Sequence, residues 1–408
     1  MPPHTTPTMT TGERIAAWRA YRGMTQETCA GLVGKSLSWW KKIESGARRI
    51  EKLSDLIVIS QLLRVPELSD LTGVLEWSLA RDQMRPVPVL PGIRAAILRR
   101  DPERTGTPIP LTDLRPRIRH ARETFHLHRM FVSEVGRLLP GLILDTTAAY
   151  RAADGPDRRA LAGALSDVYL LTSETLRDAG DFPLAQMAVD RCHLYAREAD
   201  DPLRAAWATW DSSGVLKDMG LPEEGLGQCL EAVAELEHLA DRNPTDDVLS
   251  VLGEIYCQTS LMHAHCAEEG LALRMMDRGA EAYARIGAGY RNPISAYVRE
   301  GADIIAAPVY TAMGKARQAI QAADRLDITQ TPSRAVQSIW MVNVARGYAY
   351  RREDAGTLHM LRRAEQASPE IVARSAHARE MVREMVRRDR KTVARDVHEF
   401  AQRVGLLS

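Results

Sequence analysis

Cysteine is scarce in this chain, with five among 408 residues. A disulfide-stapled scaffold needs dense, paired cysteines in a short chain, so that class is excluded. Long apolar runs are missing too. The run at 56–60 falls far short of the roughly 18–20 residues that span a bilayer, and no membrane partner is expected. The opening MPPHTTPTMT has neither a basic start nor an apolar stretch. No secretory signal is therefore expected, and the chain reads as cytoplasmic and nucleoid-associated. Lysine is rare, with seven residues against 47 arginines.

What is present is ordinary for a globular chain. Hydrophobic residues make up 45% and charged residues 26%, which excludes extensive disorder and collagen-like repeats. A length of 408 residues exceeds the roughly 250–300 at which one core stops growing, so two or more domains are expected. The net charge of +1 hides an asymmetry. Residues 1–65 hold ten Lys/Arg against five Asp/Glu, a net +5 that leaves −4 for the remainder. Four of the seven lysines lie between Lys35 and Lys52. A small basic head on a mildly acidic body points to a polyanion that meets the head alone.

The head can be read residue by residue. Residues 1–9 read as a disordered tail. Arg14, Ile15, Trp18 and Tyr21 give a first helix one packed face, and Gly23 ends it. Thr25, with Thr28 three residues on, is the N-cap of a second helix over 26–33, with Ala30 and Val33 inward. Gly34 supplies the left-handed turn residue. Ser36 caps a third helix over 37–43, which stops at Ser45-Gly46. A further helix over 52–63 would bury Leu53, Leu56, Ile57, Ile59, Leu62 and Leu63. Trp40 falls on the core side of the third helix. Trp39 either lies along a nucleic-acid backbone or shields the core.

The stretch MTQETCAGLVGKSLSWWKKIESG resembles the helix-turn-helix of the XRE and phage-repressor family, over about residues 10–65. Thr25-Gln26-Glu27, Gly34, Ser36 and Ile43-Glu44-Ser45-Gly46 stand at the family's spacing. Cys29, where the family usually carries Leu, and the paired tryptophans depart from it. The resemblance implies that the third helix docks in the major groove of double-stranded DNA. It places Leu37, Ser38 and Lys42 at base edges. Lys42 would donate to guanine O6 and N7, Ser38 would reach several bases, and Leu37 would pack on a thymine methyl. Gln26 matches a phosphate-contacting position. Lys35, Ser36, Trp39, Lys41, Arg48 and Arg49 complete the backbone candidates. One such unit reads one half-site, so a homodimer on a two-fold operator is expected.

Beyond the head, 66–84 reads as a connecting helix with Leu68, Leu71, Leu75 and Leu79 on one face. Seven prolines from Pro86 to Pro116 mark a linker over 85–110, interrupted by a short helix near 93–100. From about Leu111 strands are hard to find. Gly180, Gly220, Gly314 and Asp354 each centre the same pattern: an apolar helix, a polar turn, then a helix rich in small residues. ADDP, DRNP, TQTP and ASPE punctuate between these units. This is a helical-hairpin array over 111–408, about six hairpins stacked into a curved solenoid. An irregular all-α domain is the alternative. The expected fold is thus all-α: a helix-turn-helix bundle, a Pro-rich linker and an α-solenoid.

The array resembles tetratricopeptide repeats, although its period is nearer forty than the family's roughly 34 and the Trp-Leu-Gly-Tyr signature is mostly lost. The whole chain resembles a tetratricopeptide-bearing XRE regulator, a layout shared by the peptide-sensing quorum regulators of Gram-positive bacteria. That layout implies a transcription regulator whose array senses a peptide, small molecule or protein. The arginine and alanine bias matches GC-rich genomes, where such regulators serve secondary metabolism or development. The alternative is a scaffold or antitoxin-like protein binder with incidental DNA binding. First helices face inward in such arrays. There the effector candidates are Trp207, Trp210, Tyr256, Arg299, Trp340, Asn343 and Arg346, each with packing between repeats as its competing role.

No metal and no cofactor is expected. Cys257, His263, His265 and Cys266 lack the close fixed spacing of zinc ligands. His120, His126 and His128 read as solvated or packed. Catalysis is not expected either. There is no Gly-rich phosphate loop and no nucleophile elbow, and His398-Glu399 lacks the second histidine of a metalloprotease helix.

Overall fold

Side-chain caps open the first three helices of the chain. Thr10 and Glu13 form a reciprocal capping box on α1 (Thr11–Tyr21). Thr25 Oγ1 accepts from Thr28 N at 3.1 Å on α2 (Gln26–Leu32). Ser36 Oγ accepts from Trp39 N at 3.1 Å on α3 (Leu37–Glu44). Each cap satisfies a donor that a helix start leaves orphaned. Gly34 turns α2 into α3 at φ +66°. With α4 (Leu53–Leu62), these helices close on a core that includes Ile15, Trp18, Cys29, Trp40, Ile43, Ile59 and Leu63.

The computed structural model describes residues 9–48, 50, 53–63, 65, 71, 87–99, 107–295 and 300–407. Arg49, Arg299 and the expected connecting helix, apart from Leu71, lie outside them. The described residues form twenty α-helices and no strand, in two compact units, Met1–Arg85 and Pro86–Ser408.

Two side chains of the head differ from expectation. Tyr21 is 45% and Ile57 40% exposed. Tyr21 ends α1 and rests its ring edge-on against Trp18, with centroids 5.8 Å apart. On α4 the buried Ile59 and Leu63 lie four residues apart on one face. Ile57, two residues from Ile59, lies on the opposite side.

The second unit begins with α5 (Leu90–Leu98), the short helix expected near 93–100 within the linker, starting three residues earlier. Val87, Ile93 and Ile97 belong to the core of this unit. Pro91 sits in the first turn of α5, where a helix needs no N–H from it and proline breaks nothing. Six hairpins follow: α6 (Leu111–Leu127) with α7 (Phe131–Ala152), α8 (Gly155–Asp178) with α9 (Phe182–Glu198), and α10 (Pro202–Asp218) with α11 (Pro222–Arg242). Then come α12 (Asp246–His265) with α13 (Glu269–Ala284), α14 (Gly301–Ala312) with α15 (Ala316–Ala323), and α16 (Arg334–Tyr350) with α17 (Asp354–Ala367). Three further helices end the array: α18 (Pro369–Arg374), α19 (Ala376–Arg388) and α20 (Ala394–Arg403).

Left-handed residues make the tight turns. Gly180, Gly220 and Gly314 have φ of +83°, +86° and +71°. At Gly180 two backbone bonds close the helix end, Gly180 N to Arg177 O at 2.9 Å and Asp181 N to Leu176 O at 2.9 Å, the paired pattern that satisfies the last carbonyls. Ala267 (φ +61°) and Arg352 (φ +58°) do the same work without glycine.

The array returns on itself. His126 on α6 bonds Ser333 Oγ through Nδ1 at 2.9 Å and the Ile294 carbonyl through Nε2 at 2.9 Å. The buried Glu370 carboxylate accepts from Val132 N at 2.9 Å, placing a negative charge at the start of α7, where the helix dipole favours one. Ser368 Oγ donates to Arg129 O at 2.9 Å. The first hairpin is thereby fastened to the last.

Candidate functional site

The third helix of the head divides its side chains by spacing. Trp40, Ile43 and Glu44, three and four residues apart, are buried. Ser38, Lys41 and Lys42 are exposed and Leu37 is half-buried, so these four share the outward face. Ser36 carries the cap that starts the helix. Arg48 is exposed beyond its end, on a turn that bonds Arg48 N to Lys42 O at 2.9 Å. Lys35 is drawn aside. Its ammonium pairs with Asp55 at 3.0 Å and lies 5.3 Å from the Trp39 ring centroid. Trp39 is half-buried and packs on the head core.

One carboxylate fixes this helix against its neighbours. Glu44 accepts from Arg19 Nε at 2.6 Å, Arg19 Nη2 at 3.0 Å, Gln26 Nε2 at 2.6 Å and Trp40 Nε1 at 2.6 Å. Burial pushes the Glu44 carboxyl up, and the donors from Arg19, Gln26 and Trp40 outweigh it, so its pKa falls below the usual carboxylate range. Gln26 thus has one amide N–H on Glu44 and a second N–H left over, at the start of α2. The sequence reading took Glu44 as part of a pattern and missed this network. Its donors come from three helices, and Arg19 and Gln26 lie 25 and 18 residues away in sequence.

A family model described as a helix-turn-helix domain matches residues 11–70. The head is a helix-turn-helix domain. No curated protein matches the chain significantly. Among solved structures the chain is similar to Bacillus thuringiensis PlcR, solved in complex with the peptide PapR7 and DNA. The identity is 14%, over 67% of this chain and 94% of that chain, with a TM-score of 0.28. A likeness that low fixes neither fold nor ligand for this chain.

Away from the helix-turn-helix domain, the helical array carries a half-open cavity of about 830 Å³. Its walls come from the first helices α6, α8, α10 and α12, and from the segment at 291–294. Trp207 lines it. The other effector candidates among the described residues are elsewhere. Trp210 is half-buried, edge-on to Trp207 at 5.6 Å, with the Arg177 guanidinium 5.7 Å from its ring. Tyr256 is buried and donates to Glu237 Oε1 at 2.7 Å. Trp340 is 4% exposed. Asn343 donates to the Ile339 carbonyl at 3.1 Å and accepts from Arg346 Nη1 at 3.2 Å. Tyr256 and Trp340 belong to the core of the array, and Trp210 packs against it.

The reading also missed the arginines of the cavity. Arg115, Arg119 and Arg122 recur at i, i+4 and i+7 along α6 and line the wall; in sequence such a row resembles any solvated helix face. Arg122 is 9% exposed and pairs with the buried Glu174. His126, beside it, is neutral, because burial and the nearby Arg122 push its pKa down to about 3. The Ile294 carbonyl can only accept, so His126 Nε2 carries the proton and Nδ1 accepts from the Ser333 hydroxyl. Among the described residues no three His, Cys, Asp or Glu side chains are grouped to hold a metal. No described helix is long and apolar enough to cross a membrane.

Proposed function

We propose that the chain is a sequence-specific transcription regulator of XRE type, a homodimer on a two-fold DNA operator, with the tetratricopeptide-like array as its effector domain. The observation that carries this is the outward face of α3. Lys41 and Lys42 project from it with no partner among the described residues, while the one acid of that helix, Glu44, is turned inward and fully engaged. An exposed helix face with unneutralised cations and a hydroxyl is what a major groove takes up. Leu37, Ser38 and Lys42 are the base readers in this reading. Gln26, Ser36, Lys41, Arg48 and Arg49 hold the backbone, and Lys35 joins them when it exchanges Asp55 for a phosphate.

The test is selection of duplexes from a random pool by the full chain, followed by binding of the selected site. Lys42→Ala should relax the preference at one base position and cost about 1–3 kcal/mol. Lys41→Ala should weaken all sequences alike and lower the salt slope by about one. A selected site without two-fold symmetry, with a monomer in light scattering, would remove the dimer. A Lys42→Ala variant that keeps the wild-type preference would remove the α3 assignment.

A further inference from the structure

We propose that the cavity of the helical array binds a small amphipathic anion, an apolar body bearing one acidic group, with the acid held on the α6 arginines. This rests on reading the array as the effector domain and names the chemistry of its effector. The cavity, at about 830 Å³, lies within the roughly 300–1,000 Å³ that small-molecule sites occupy.

The charges on the wall are unevenly matched. Arg204 is answered by Asp167 at 2.9 Å and by Asp201. Arg115, Arg119 and Arg291 have no partner among the described residues. Arg159, in the adjoining recess that shares Arg115 and Arg204, has none either. Against these four stand Glu123 and Asp247, and Asp247 already accepts from the Tyr290 hydroxyl. Arg122 adds a separate sign. One of its terminal nitrogens bonds Glu174, and the other is buried without any acceptor. That N–H lies beneath the wall, and with the unpaired arginines in front of it the α6 part of the cavity carries an excess of positive charge. The wall also has apolar groups, among them Leu170, Leu171, Trp207, Val251 and Ile294.

The same wall argues against a peptide held by its main chain. A side-chain amide suits such a ligand best, because it presents a donor and an acceptor together. Asn292 is the one amide on the wall. It donates to Ser250 Oγ at 2.9 Å and accepts from Ile294 N at 2.8 Å, so it serves the fold. Asn343 lies elsewhere. The cavity therefore reads charge and apolar surface. A ligand there touches α6 and the 291–294 segment at once, the two parts that His126 fastens together, so binding also tightens the closure of the array.

The experiment uses the full chain without DNA and two fluorescent probes with the same rings, anilinonaphthalene sulfonate and its uncharged parent phenylnaphthylamine. The sulfonate should bind one site, at least about tenfold tighter than the parent, be displaced by decanoate, and raise the melting temperature of the array. Arg119→Glu and, independently, Arg291→Glu should each cut sulfonate affinity about tenfold and leave the parent unchanged, with circular dichroism confirming the fold. Equal binding of the two probes overturns the proposal. So does sulfonate affinity unmoved by both substitutions, or an acidic heptapeptide that binds where sulfonate and decanoate do not. Operator binding by the same preparation is measured separately. Probe failure with intact DNA binding removes the anion site alone, and the reverse removes the regulator reading alone.

Discussion

Replacing Glu44 by alanine withdraws the acceptor that Arg19, Gln26 and Trp40 share. Glu44 is 9% exposed and Trp40 fully buried, and the Arg19 side chain is 19% exposed. Removing one member of a buried ion pair costs about 3–5 kcal/mol, because the other charge is left uncompensated. An orphaned buried indole N–H adds about 1–3 kcal/mol. These penalties overlap, so about 4–6 kcal/mol is the expected total. A head of this size holds about 3–8 kcal/mol of stability at 0.05–0.15 kcal/mol per residue. The variant head should therefore unfold in a large fraction of molecules while the array stays folded. Hydrogen exchange on the intact chain reads this directly: peptides from α1 and α3 should lose protection, and those from α8 should keep it. Glu44→Gln keeps an acceptor and loses the charge, and should cost about half as much. Because the folded pKa of Glu44 is lowered, its stabilisation is complete above the ordinary carboxylate pKa and is lost as pH falls through the folded value. Glu44→Gln should flatten that acid limb. Protection of α3 in Glu44→Ala within tenfold of wild type, about 1.4 kcal/mol, would refute the reasoning.

Further outcomes follow from single positions. A Cβ on Gly12 would lie 2.2 Å from the Ile43 carbonyl oxygen, so Gly12→Ala should destabilise the head by about 1–3 kcal/mol, read by the same exchange. Ala267→Gly should stabilise the array by about 1 kcal/mol in a urea melt, since Ala267 occupies the left-handed region. His126, with a folded pKa of about 3, refuses a proton that the unfolded chain accepts below about pH 6.5. Its contribution is present above pH 6.5 and is lost progressively toward pH 3, by up to about 4 kcal/mol. Asp178, pushed up to about 7 by burial, works the other way, losing stability as pH rises from 3.8 toward 7. The melting curves of wild type and His126→Gln between pH 4 and 7 should therefore diverge at neutral pH and converge in acid. Parallel curves would show that His126 carries no such load.

The sequence alone determined what depends on neighbours three or four residues apart. The caps at Thr25 and Ser36, the turn at Gly34 and the inward place of Trp40 are contacts of that range, and residue chemistry dictates them. The hairpins were legible where glycine marks the turn. Ala267 escaped notice because its left-handed backbone is imposed by the packing of α12 and α13 and leaves no trace in composition. Helix α5 was legible near 93–100, but its start at Leu90 was hidden for the opposite reason, a proline that is harmless at a helix start. Only the tertiary structure decided the rest. Glu44 gathers donors from three helices. The cavity draws Arg115 and Arg204 together from two hairpins with Arg291 from the 291–294 segment, and His126 meets Ser333 across 207 residues. Which face of each helix looks inward depends on a small rotation accumulated from repeat to repeat, and no local run of residues encodes that sum.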